Sequence, residues 1–182
     1  MAARAVPEHV RWAVETLGPG PDEQLLEIGC GPGVAVSLIC EQLVGGRIVA
    51  IDRSATAIGR ARRRNADHLA AGKAVLHAVA LEELQPSGVL GERERFDKVF
   101  AMNVNLFWVR SPATELELIR GLLGADGGLY LFYGYGQGPR PGEASENASR
   151  VPGILTGHLT ERGFATEIKR GPGVICVAAT LR

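Results

Sequence analysis

The sequence predicts an α/β sandwich: a mostly parallel sheet with helices on both faces. Three observations carry that expectation. Runs rich in β-branched residues alternate with stretches of helical period, the pattern of repeated strand–helix units. A glycine bend, Gly29-Cys-Gly-Pro-Gly33, stands where the first strand should give way to a helix. The last two apolar runs are joined only by Arg170-Gly-Pro-Gly173, too short for a helical crossover, so they should pair antiparallel. At 182 residues, one domain spanning 1–182 is expected.

The elements follow in order. Pro7 to Leu17 places Val10, Val14 and Leu17 at helical spacing, and Gly18-Pro-Gly-Pro21 stops it, which predicts a short covering helix. Gln24–Ile28 reads as strand one, with a helix from about Gly33 to Leu43 carrying Val34, Leu38 and Ile39 inward. Arg47–Asp52 is strand two and closes the first βαβ unit. Ser54 caps a helix running to about Leu69, and Ala74–Ala78 makes a short third strand. Phe96–Met102 is strand four. A helix over 112–123 leads through Ala125-Asp-Gly-Gly128 into strand five, 129–133. A helix over 152–162 and strands over 164–169 and 174–181 complete the chain. Residues 1–6 read as a flexible tail. Residues 134–149 hold hardly an apolar anchor, so burial cannot hold them, and a mobile loop is expected, either a substrate-facing lid or a plain connector.

Composition removes several function classes. With 46% hydrophobic and 22% charged residues, the chain is that of a globular protein and not a disordered one. Twenty basic and twenty acidic side chains cancel, which removes the broad positive field of nonspecific nucleic-acid binders. Charge or glycine interrupts every apolar stretch within about ten residues, well short of the ~20 needed to span a bilayer, so no membrane association is expected. The start, Met1-Ala-Ala-Arg-Ala-Val-Pro7, lacks the apolar core of a secretory signal, and the three cysteines, Cys30, Cys40 and Cys176, have no metal-ligand spacing. A reducing cytoplasm fits that usage. Arg60, Arg62, Arg63 and Arg64 form the basic cluster and read as a solvated helix face.

The chemistry resides in the bend. At the carboxyl edge of the sheet, glycines let the backbone approach a ligand closely, and the next helix turns free N–H groups toward it. Asp52 ends strand two 19 residues beyond Gly33, the usual place for a carboxylate that holds ribose hydroxyls. A dinucleotide fingerprint needs glycine at the sixth position of G-x-G-x-x-G, where this chain has Val34, and that counts against a nicotinamide cofactor.

The nine residues Leu25-Leu-Glu-Ile-Gly-Cys-Gly-Pro-Gly33 resemble the first motif of class I S-adenosylmethionine-dependent methyltransferases, and Val49-Ala-Ile-Asp-Arg-Ser54 resembles their second. The resemblance extends through Phe96-Asp-Lys-Val-Phe100 and Leu122-Leu-Gly-Ala-Asp-Gly-Gly-Leu129, nearly the whole chain. It implies a Rossmann-like, seven-stranded sheet in a three-layer sandwich, with the last strand antiparallel. It also implies S-adenosyl-L-methionine as cofactor and S-adenosyl-L-homocysteine as product. By the same resemblance Glu27 faces the methionine amino group, Gly29, Cys30 and Gly31 line methionine and ribose, Asp52 holds the ribose, and Arg53 packs on adenine. Asn103, after strand four, faces cofactor and acceptor. Many relatives carry an Asp after the third strand, whereas this chain reads His77-Ala-Val-Ala-Leu-Glu82, so the adenine contact falls to backbone groups of Ala80 and Leu81, with Glu82 as the side-chain alternative.

Methyl transfer demands alignment and exclusion of water, and positioning alone can supply roughly 7–11 kcal/mol of a barrier. No general base is identified, and none is required unless the acceptor keeps its proton at neutral pH. The acceptor is expected to be a small molecule. Asn105 would orient it, with Phe107 and Trp108 as apolar walls or, alternatively, as core of the next helix, and Tyr133 and Tyr135 in reach. Nucleic acid is disfavoured because no Asn-Pro-Pro-aromatic sequence follows strand four. No metal is expected, since Met102 and Asn103 stand where metal-dependent relatives place a carboxylate. Little chain remains for a substrate cap, which makes a homodimer that completes the pocket an expectation. The alternative to an enzyme is a noncatalytic S-adenosylmethionine-binding protein.

Overall fold

A computed structural model describes residues 6–85, 95–134 and 145–181. The described helices are α1 (Glu8–Leu17), α2 (Val34–Gln42), α3 (Ala55–Arg64), α4 (Ala66–Ala70), α5 (Leu106–Val109), α6 (Ala113–Leu122) and α7 (Ser145–Glu161). The strands are β1 (Gln24–Ile28), β2 (Arg47–Asp52), β3 (Ala74–Ala78), β4 (Phe96–Met102), β5 (Leu123–Gly134), β6 (Phe164–Gly171) and β7 (Val174–Leu181). They form one seven-stranded sheet in the order β3-β2-β1-β4-β5-β7-β6. The first five strands run parallel, and β7 pairs antiparallel with both β5 and β6, as the short Gly-Pro-Gly link requires.

Side-chain alternation along the strands divides the interior into two cores, one on each face. Leu25, Ile48, Ala50, Phe100 and Phe132 meet α1, α2 and α3. Leu26, Ile28, Val49, Ile51, Val99 and Leu131 meet α5, α6 and α7. The same period of two turns Glu27 and Asp52 toward the α1–α2 face, since they follow Leu25 and Ala50 by two positions. Strand β1 lies between β2 and β4, buried at every residue, so Glu27 is a carboxylate in a core strand.

Three expectations need correction. The single helix expected over 54–69 breaks at Asn65, whose backbone leaves the helical region (φ −108°, ψ 24°) while its side-chain amide bonds the carbonyls of Ala61 and Gly33. The turn before strand five lies inside the β4–β5 ladder: Phe96 pairs with Leu123 and Lys98 with Gly128, so residues 124–127 loop out between them. Gly127 permits this, because a Cβ there would stand 3.0 Å from Phe96 O and from Gly124 N and O. The helix expected from Pro152 begins seven residues earlier, at Ser145, so 145–149 are helical and not loop, and Pro152 lies within it. Val151, Leu155 and Leu159, buried on one face at intervals of four, hold the helix on the sheet past the proline. Of the loop expected over 134–149, residues 135–144 lie outside the described residues, as do 1–5 of the expected tail.

No described helix is long and apolar enough to cross a membrane. The thiols of Cys30, Cys40 and Cys176 are all buried and unpaired. Burial pushes Cys40 up to about 11 and Cys176 up to about 12, so both stay protonated at neutral pH.

Helix α1 is anchored across the sheet by Trp12, whose ring meets Phe132 edge-on at 6.2 Å. The indole also lies over Gly171 at the end of β6, where a Cβ would stand 2.3 Å from its Cε2. A rigid ring cannot yield as a flexible side chain would. Gly171→Ala is therefore expected to destabilise the fold by about 1–3 kcal/mol, the usual cost of overpacking, read as a lower midpoint in thermal or denaturant unfolding.

Candidate functional site at the carboxyl edge of strands 1, 2 and 4

The bend after β1 is bound to the end of β2 by its own backbone. Gly29 N–H and Cys30 N–H both donate to Ile51 O, at 2.8 and 3.0 Å. Gly31 N–H donates to Asp52 Oδ2 at 2.8 Å, and Ser54 N–H donates to Asp52 Oδ1 at 2.8 Å. Gly29, Gly31 and Gly33 all have positive φ (72°, 52° and 72°), the left-handed region that a side chain disfavours. Space is short as well: a Cβ on Gly29 would meet Val104 Cγ2 at 2.6 Å, and one on Gly33 would meet Asn65 Nδ2 at 2.6 Å. Two of the four or so lone-pair positions of the Asp52 carboxylate are taken by these N–H groups, which leaves capacity for two hydroxyl donors.

Beside the bend lies a cavity of about 180 Å³ lined by His9, Val10, Glu27, Gly29, Cys30, Val34, Ala35, Met102 and Asn103. Glu27 is 3% exposed, and its Oε2 is buried with no hydrogen-bond partner. Burial, with the Asp52 charge adding to it, pushes the Glu27 carboxyl up to about 8. Such a group is suited to meet a cation that enters the cavity. Burial also raises the Cys30 thiol, with Glu27 and Asp52 raising it further, so it stays protonated and serves as lining, not as nucleophile.

The expected site residues separate into those the structure gathers and those it does not. Glu27, Gly29, Cys30 and Asn103 line the cavity, whereas Gly31 and Asp52 do not line it and form a bonded pair between the bend and the end of β2. Arg53 is exposed at the same edge. Ala80 follows Val79, whose N–H bonds Asp52 O at 3.1 Å, and Ala80 O and Leu81 O accept bonds within the short 3-10 turn Leu81–Glu83. Asn103 takes a left-handed conformation (φ 54°), and its amide forms a reciprocal pair with Gly134: Nδ2–H donates to Gly134 O at 2.8 Å and Oδ1 accepts from Gly134 N–H at 2.9 Å. That side chain is therefore committed to joining the ends of β4 and β5. Asn105 is exposed at the start of α5. Phe107 is 1% exposed and belongs to the core. Trp108 and Tyr133, both half-buried, meet edge-to-face at 5.0 Å. Tyr135 lies outside the described residues.

Sequence reasoning missed two contributions. His9 and Val10 reach the cavity because α1 packs on α2, a tertiary contact with no local signature. Asn65, fully buried, grips the bend from behind: Nδ2–H donates to Gly33 O at 3.0 Å and to Ala61 O at 2.9 Å, and Oδ1 accepts from Ser37 Oγ–H at 2.7 Å. Arg64 Nε–H adds a bond to Pro32 O at 3.1 Å, and Arg62 bonds Leu76 O, so two of the four clustered arginines are engaged and not simply solvated. A polar residue inside a helical pattern, between Ala61 and Leu69, was the available signal for Asn65.

The raised Glu27 carboxyl has a consequence for stability. Its folded value of about 8 lies above its ordinary 4.5, so its contribution is fully present below pH 4.5 and is lost as pH rises through 8. Without ligand, the protein should unfold more easily at pH 9 than at pH 6, by about 3 kcal/mol, since the loss runs from pH 6 to about 8 and then levels off. Glu27→Gln, which cannot ionise, should show a much flatter profile over that window in thermal melts compared pH by pH.

The residues present fit the cofactor that the motifs imply. The buried Glu27 Oε2 without a partner would receive a cationic ammonium, open space at Gly31 would allow close approach, and Asp52 keeps acceptor capacity that ribose hydroxyls would use. Among solved structures, the chain is similar to precorrin-6y C5,15-methyltransferase from Geobacter metallireducens, with TM-score 0.69 and 14% identity over 100% of this chain and 94% of that one. It is similar to a methyltransferase from Aquifex aeolicus, with TM-score 0.66 and 15% identity over 96% and 89%. It also resembles magnesium protoporphyrin IX methyltransferase from Synechocystis, solved with S-adenosylmethionine bound, with TM-score 0.61 and 19% identity over 95% and 76%. At these identities the likeness speaks for the fold. No curated protein sequence matches the chain. The family described as "Methyltransferase domain" matches residues 26–129, more than half the chain and the stretch that carries the bend, Asp52 and β4, and the chain therefore belongs to the S-adenosylmethionine-dependent methyltransferases.

Proposed function

We propose that this methyltransferase acts on a small organic acceptor with an apolar, planar face, docked at the carboxyl ends of β4 and β5. The observation that carries the reading is the Trp108–Tyr133 pair, half-buried and edge-to-face, beside the Asn103–Gly134 junction. Both rings pack against the core beneath α5–α7 and stay partly exposed, and partly exposed aromatic surface is suited to contact a planar ligand. The balanced formal charge supports a small molecule over a polyanion.

In this reading Glu27 binds the ammonium of the cofactor, Asp52 the ribose hydroxyls, and the backbone of Gly29, Cys30 and Gly31 the atoms between. Bound there, the sulfonium supplies an electrophilic methyl group. The chain's own contribution is positional. Two N–H bonds fix the Asp52 carboxylate, Asn65 and Arg64 fix the bend, and the Asn103–Gly134 pair fixes the acceptor side. Alignment of donor and acceptor then lowers the barrier without a dedicated base when the acceptor carries a free lone pair.

Methyl transfer from labelled S-adenosylmethionine into a pool of small aromatic and heteroaromatic compounds tests the reading, with Trp108→Ala expected to lower turnover and leave cofactor affinity unchanged. Cofactor binding without transfer to any compound would instead indicate a binding protein. Asp52→Ala should weaken S-adenosylhomocysteine by roughly 1.5–3 kcal/mol in calorimetry, the range for charged hydrogen bonds. Asn65→Ala should cost about 1–3 kcal/mol of stability from unsatisfied buried groups and also weaken the cofactor at temperatures where the variant is folded. Ser37→Ala, which removes one of its bonds, should do both to a smaller degree.

A further inference from the structure

The cavity has a wall that the motif residues do not supply. Helix α1 brings His9 and Val10 to the space that Glu27, Gly29 and Cys30 line from the sheet. A bound α-amino acid presents two opposite charges, and a site that receives both must offer an acceptor for one and a donor for the other. Glu27 is the one carboxylate lining the cavity, and its Oε2 lacks a partner. His9 is the one nitrogen base lining it. Loss of surrounding water holds its imidazole below the ordinary value, and the neutral ring still has an N–H to donate. Val34 and Ala35, the first two residues of α2, line the same space, and the start of that helix favours negative charge.

We propose that α1 completes the amino-acid end of the cofactor site, His9 donating a hydrogen bond to the carboxylate of the bound sulfonium amino acid while Glu27 accepts from its ammonium. The inference rests on the assignment of this cavity to the cofactor's amino acid and adds a binding residue outside the motifs. It also gives α1 a role beyond covering the sheet. The acidic pole belongs to a core strand and the donor pole to a helix laid across it, so the cavity reads both ends of a zwitterion only when α1 is seated.

The test compares two ligands that share adenosine and sulfur: S-adenosylhomocysteine, which has the amino-acid end, and 5′-methylthioadenosine, which lacks it. Calorimetric titrations are run on the wild type, His9→Ala, His9→Gln and Asp52→Ala. His9→Ala is expected to weaken S-adenosylhomocysteine about tenfold or more and leave 5′-methylthioadenosine unchanged, while His9→Gln, which keeps a donor, recovers most of the loss. Equal weakening of both ligands by His9→Ala, or no effect on either, overturns the proposal. Asp52→Ala separates this from the parent reading, since it should weaken both ligands whatever His9 does. A wild type that binds neither ligand removes both.

Discussion

The bond from Gly31 N–H to Asp52 Oδ2 is the interaction on which the site depends, because it makes one unit of two chain segments that sequence keeps 21 residues apart. Parallel pairing of β1 with β2 brings the ends of the two strands together, and the N–H groups of Gly29 and Cys30 extend that pairing past the last residue of β1 onto Ile51 O. The bend is thus a continuation of the sheet and not a free loop. A ligand held by the bend and by the Asp52 carboxylate meets a surface already assembled, so little ordering entropy is spent at binding.

Glu27 shows what that arrangement costs in the free protein. A core strand buried at all five positions is an unfavourable place for a carboxylate, and its raised titration is the sign of that conflict. An apolar residue in its place would relieve the strand and leave a cationic ligand without its counterpart. Local physics that contradicts the fold's own preference is where function is expected to lie.

Much of this was legible in the sequence because the signals are local. Strand boundaries at Gln24–Ile28, Arg47–Asp52 and Ala74–Ala78 follow from short apolar runs bounded by turns, and the bend and Asp52 follow from a motif whose spacing is set by one βαβ unit. What could not be read depends on contacts distant in sequence. Asn103 looks like a residue free to face a ligand, yet its amide is joined to Gly134 on the neighbouring strand. Phe107 and Trp108 are adjacent in sequence, but one is in the core and the other half-buried at its edge, because a single helical step turns a side chain by about 100°. Asn65 and His9 act on the site from α3–α4 and α1, and no spacing rule links them to the glycines. Pro152 misled for a different reason: tertiary packing by Val151 and Leu155 outweighs the local preference that would begin a helix there.

The seating of Trp12 has an implication for how the molecule tolerates change. Its ring rests on Phe132 of β5 and over Gly171 of β6, while three residues earlier on the same helix His9 enters the cavity at the other side of the sheet's centre. A ten-residue helix that also buries Val10, Ala13, Val14 and Leu17 in the core shifts as one body. Drift at the antiparallel margin, a region with no chemistry of its own, would therefore be transmitted to the ligand through the tilt of α1, which ties the evolutionary freedom of that margin to the opposite end of the molecule.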